Sequence, residues 1–138
     1  MRTVVLGAAL AMAVSTPAPA QSPGRAEAEA YLAVDDCAAT QAGAADVFKA
    51  EGAQGAADRL EAAEQLCKTA AAKLRKASFE GLDSTLAADG LDQMAKGLGQ
   101  IEEGLRRMET EPAAGKKATK LGYLTYRYGL EKLERAKR

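Results

Sequence analysis

The 138-residue chain contains no histidine and no tryptophan, and only 4% of its residues are aromatic. Without histidine there is no Ser-His-Asp or Cys-His catalysis. There is also no H-E-x-x-H zinc site or facial triad, no proximal histidine for haem, and no paired Glu-x-x-His motif of the di-iron bundles. Proline is scarce: four in all, and a single one, Pro112, beyond residue 23. No alternating run of β-branched residues reads as a strand, and no G-x-x-x-x-G-K-S/T phosphate loop occurs. Formal net charge is zero, which gives no electrostatic footprint for nucleic acid. These absences leave no recognisable catalytic or cofactor site, so the chain is expected to be non-enzymatic and to carry no cofactor and no bound metal.

One apolar run stands out, Val4 to Val14 (VVLGAALAMAV), preceded by Arg2 and followed by Ser15-Thr16-Pro17-Ala18-Pro19-Ala20. A charged start, a short apolar stretch and a small-residue A-x-A site make a secretory signal peptide. Residues 1–20 are therefore expected to be cleaved before Gln21, leaving 21–138 as a single domain. The run is too short for a spanning helix, which needs about 20 apolar residues, and no second long run follows. The mature chain is expected in the periplasm or outside the cell, with no transmembrane segment. The short signal and the Ala-rich composition point to a bacterium.

What remains is rich in Ala, Leu, Lys, Glu, Arg and Gln, the helix formers. Four helical segments separated by breakers are predicted. The first starts at Ser22-Pro23, a cap followed by proline, and runs to about Glu51, with Ala30, Val34, Cys37, Ala44 and Phe48 at helical spacing and Tyr31, Ala38 and Ala45 alongside. Gly52-Ala53-Gln54-Gly55 is the turn. The second covers about 56–77 with the stripe Leu60, Ala63, Cys67, Ala70 and Leu74. The third is capped by Asp83 or Ser84 and reaches about Thr110, its seam formed by Leu91, Met94, Leu98, Ile101, Leu105 and Met108. Residues 111–115 are read as a break. The last helix is predicted over 117–136, with Leu121, Leu124 and Tyr128 on one line and Tyr123, Tyr126, Leu130 and Leu133 on the next. Four helices joined by short loops imply an antiparallel up-down-up-down four-helix bundle.

Cys37 and Cys67 are the two cysteines. Their midpoint is residue 52, at the predicted turn, and both lie on apolar stripes. An exported chain meets an oxidising compartment, so a disulfide linking the first helical hairpin is expected, worth about 3–4 kcal/mol in the chain-entropy model. The adjacent carboxylates Asp35-Asp36 and Glu102-Glu103 point about 100° apart on a helix and read as solvated faces. Met94 and Met108 share an apolar seam and read as core filler rather than copper ligands.

Two features suggest interaction surfaces. Gly90, Gly97 and Gly104 recur every seven residues, with Gly99 nearby, and each costs a helix about 0.8–1 kcal/mol against alanine. A row of this kind lets another helix approach closely, either the chain's own neighbour or a partner. The second is Tyr123, Tyr126 and Tyr128 around Arg127 in a basic last helix. Residues 112–138 carry eight Lys or Arg against two Glu, whereas 21–111 carry ten basic against seventeen acidic residues. Tyrosine and arginine are enriched where proteins bind one another. The leading expectation is an exported bundle acting by protein–protein binding or self-association, as a homodimer or with a protein partner. The alternatives are a small-ligand or metal carrier with a pocket between helices, and a peripheral binder of anionic membrane through the last helix.

Overall fold

The computed structural model describes residues 28–29, 31–37, 39, 43–76 and 81–137. The signal segment at 1–20, the helix start at Ser22-Pro23, and Ala30 and Ala38 of the first stripe lie outside the described residues. Four helices are described: α1 at 31–37, α2 at Ala44–Arg75, α3 at Ser84–Arg107 and α4 at Pro112–Ala136. They pack as an all-α bundle, with Cys37 bonded to Cys67 across a Cα separation of 4.9 Å.

α2 is two arms rather than one rod. Gly52 inside it adopts φ 83° and ψ −170°, a left-handed φ that glycine alone enters cheaply. A side chain there would meet nothing within 4 Å, so backbone conformation, not space, requires the glycine. The chain reverses at this point. Cys37 pairs with Cys67, and Gly43 lies against the Arg59 guanidinium; both pairs straddle Gly52. The turn expected over four residues contracts to one, and Gly55 is already helical. The first arm is also not the continuous helix predicted up to Glu51, since Gly43 forms a turn that caps α2.

The second arm of α2 buries the predicted stripe of Leu60, Ala63, Cys67, Ala70 and Leu74, with Ala56, Ala57 and Ala71 beside it. It packs on Ala87, Ala88, Leu91, Ala95 and Leu98 of α3. Arg75 forks to Asp89 and Asp92 at one end of this contact, and Arg106 reaches Asp58 at 2.9 Å at the other. Those crossings are the contacts of antiparallel neighbours and are compatible with up-down-up-down order.

Asp83 caps α3, its carboxylate accepting from the Leu86 amide at 3.1 Å, one of the first amides that a helix leaves without an internal partner. The Asp83 amide in turn donates to the Ala136 carbonyl at 2.9 Å, tying the start of α3 to the end of α4. Asp83→Ala is expected to lose about 1 kcal/mol in a urea unfolding curve. A midpoint shift too small to measure would show that the cap contributes nothing.

α4 departs from expectation in two ways. It begins at Pro112 rather than near Lys117, because proline suits the first helical position and the break is confined to 108–111. Gly115 is therefore inside the helix. Second, Leu121, Tyr123, Leu124, Tyr128 and Leu130 are exposed, and only Tyr126 and Leu133 of the two predicted lines are buried. The buried face of α4 is built instead on Gly115, Gly122 and Gly129.

Candidate binding groove

Glycine spacing decides how α4 sits. Gly90, Gly97 and Gly104 of α3 face Gly129, Gly122 and Gly115 of α4, one to one. A methyl group built on Gly97 would lie 2.5 Å from the Gly122 carbonyl oxygen, one on Gly104 2.6 Å from that of Gly115, and one on Gly90 2.7 Å from that of Gly129. Most of the obstacles are backbone atoms, which cannot swing aside; at Gly104 the Thr119 hydroxyl stands with them. The glycine row is thus filled by the chain's own last helix along its whole length, and Gly90, Gly97 and Gly104 are buried.

This close contact is made through the face of α4 that carries the three glycines, with Tyr126 and Leu133 as its large buried side chains. Leu121, Tyr123, Leu124, Tyr128 and Leu130 are thereby left on the exposed sides of α4. One consequence is a groove of about 700 Å³ between α2, α3 and α4. Phe48 and Leu60 line it from the two arms of α2, Ile101 and Leu105 form the α3 side, and Tyr123 and Leu124 come from α4. Alanines 44, 45 and 56 fill the spaces between these on α2. Lys49 from the first arm and Lys120 from α4 stand among the lining residues, with Thr119. The two lysines are exposed, and no hydrogen bond or ion pair engages either among the described residues. A second consequence is an outward strip on α4 carrying Leu121, Leu124 and Tyr128, the last two 52% and 59% exposed.

The three tyrosines singled out from the sequence separate. Tyr126 is 7% exposed and packs into the α3–α4 contact; burial, and then the neighbouring Tyr123, raise its hydroxyl pKa above the usual tyrosine value. Tyr123 borders the groove, and the Arg127 guanidinium lies 6.0 Å from its ring centroid, the outer limit of a cation–π contact. Tyr128 stands on the outer strip. Carboxylates do not converge on the groove. Glu102 is held by Arg106 at 3.0 Å, while Asp35, Asp36 and Glu103 are exposed. Met94 is fully buried in the core. Among the described residues no group of three or more His, Cys, Asp or Glu could hold a metal ion, and no helix is long and apolar enough to cross a membrane. The hairpin disulfide suits an oxidising, non-cytoplasmic environment.

No protein-family model matches the chain, and no curated protein and no solved structure matches it either.

Sequence reasoning singled out the first glycine row but not the groove residues Phe48, Lys49, Leu60, Leu105, Lys120 and Leu124 as a set. A signal for them existed. Gly115, Gly122 and Gly129 repeat the seven-residue spacing of the first row, and pairing the two rows turns the large side chains of α4 outward.

Proposed function

We propose that the protein works by binding rather than by catalysis, as an exported carrier whose site is the groove between α2, α3 and α4. The observation that carries this reading is an apolar groove of about 700 Å³, within the roughly 300–1,000 Å³ of small-ligand sites. The signal-like residues 1–20 and the disulfide support an extracytoplasmic setting. A second reading, self-association, is favoured by the outward strip of Leu121, Leu124 and Tyr128, which lies on one side of α4 with no covering element among the described residues.

Native mass spectrometry of the protein exported by its own signal and purified without reductant tests this. The expected result is a monomer of residues 21–138, two hydrogens light, that carries added small-molecule mass or takes up the neutral probe N-phenyl-1-naphthylamine in a one-to-one complex. A bare homodimer that ignores the probe would move the function to the outer strip of α4. A bare monomer that ignores the probe would overturn both readings.

A further inference from the structure

The chemistry of the groove rim narrows the ligand, granted that the groove is the binding site. Three basic groups at the α2–α3 crossing are compensated. Arg75 is paired with Asp89 and Asp92, Arg106 with Asp58 and Glu102, and Lys68 with Glu64. Lys49 and Lys120 are not. Among the described residues they are the only charged ones lining the groove, and no carboxylate lines it. They come from different elements, the first arm of α2 and α4. This cationic rim stands out because residues 21–111, which supply Lys49 and both other walls, carry an excess of acidic over basic residues.

We propose that the groove takes a long-chain carboxylate, its apolar body lying along Phe48, Leu60, Ile101 and Leu105 and its anionic head held between Lys49 and Lys120. Lysine stems cover apolar surface while their ammonium groups stay in water, so both lysines can line the groove and meet a head group at its mouth without desolvation. Besides the lysines, the polar side chains of the lining are the Tyr123 phenol and the Thr119 hydroxyl, which donates to the Gly115 carbonyl, so a ligand polar along its length would leave most of its groups unpaired. An apolar body with one charged end matches what the walls provide.

The test uses oxidised, delipidated protein and two fluorescent probes that differ only at the head, cis-parinaric acid and its methyl ester. Wild type is expected to bind one acid per chain and to prefer the acid over the ester by roughly five- to tenfold, the sum of two exposed ion pairs. The double substitution Lys49→Met/Lys120→Met, which keeps the apolar stems and removes both charges, is expected to erase that preference while the ester still binds. Leu124→Glu, at an exposed position, is expected to weaken both probes. Equal affinity of wild type for acid and ester, or a preference that survives the double substitution, would overturn the head-group assignment while leaving the groove as the site. Failure to bind either probe, or ester binding indifferent to Leu124→Glu, would overturn the groove reading as well.

Discussion

Gly97→Leu is expected to remove at least about 3 kcal/mol of folding stability and to separate α4 from α3, with loss of helical signal at lower urea than wild type. Overpacking a well-packed contact costs about 1–3 kcal/mol when side chains can adjust. At Gly97 the nearest obstacles are the Gly122 carbonyl oxygen and the Tyr126 amide and Cα, all backbone. The helices must move apart, and with one register shared by three glycine pairs, the loss spreads to the 90/129 and 104/115 contacts. Even Gly97→Ala is expected to destabilise, although alanine is worth about 0.8–1 kcal/mol more than glycine in a helix interior. Gly99 is the control. A methyl there meets only the flexible Glu64 carboxylate, at 3.1 Å, so Gly99→Ala is expected to be neutral or stabilising by up to about 1 kcal/mol. If both alanine variants shifted the midpoint alike, propensity alone would explain the glycines and the close approach would be refuted.

Breaking the disulfide is the second large effect. Cys37 and Cys67 are 30 residues apart in sequence, and a closed loop of that length stabilises by about 3–4 kcal/mol in the chain-entropy model. Single small domains have about 5–15 kcal/mol in total. The disulfide is the covalent cross-link between α1 and α2. Cys37→Ala/Cys67→Ala, or reduction of the native protein, is therefore expected to lower stability by about 3 kcal/mol. In hydrogen exchange, the amides of 31–51 are expected to lose protection first, while the α3–α4 pair keeps its own. A reduced protein with an unchanged urea midpoint would show that helix packing alone holds the hairpin.

These two contacts differ in how openly the sequence announced them. The hairpin was legible because its signals are side chains: two cysteines equidistant from a glycine turn, and the stripe from Leu60 to Leu74. The α3 seam was legible for the same reason, with Leu91, Met94 and Leu98 fully buried. α4 was misread because hydrophobic periodicity locates a buried face by its large apolar residues. Here the face turned to α3 is marked by residues with no side chain, and Leu121, Leu124 and Tyr128 mark the opposite surface. Gly115 belongs to the stretch 111–115 that reads as a break, whereas its place in the helix is set by the Gly104 and Met108 backbone it touches. The groove followed the same fate, since it exists only because α4 is rotated in this way.

The three glycine pairs carry an ambiguity of their own. Because both rows repeat every seven residues, sliding α4 along α3 by one repeat, about 10.5 Å at 1.5 Å per residue, would still mate two of the three pairs. The ladder thus specifies a spacing between the helices better than it specifies an alignment, like a rack that accepts a gear at any tooth. The alignment is chosen elsewhere. The connection at 108–111 is too short to allow the slide, Pro112 fixes where α4 begins, and the Asp83–Ala136 hydrogen bond with the Leu82–Lys137 bridge pins the far end. A longer 108–111 loop would release that choice, and a chain so altered would have two near-equivalent ways to close.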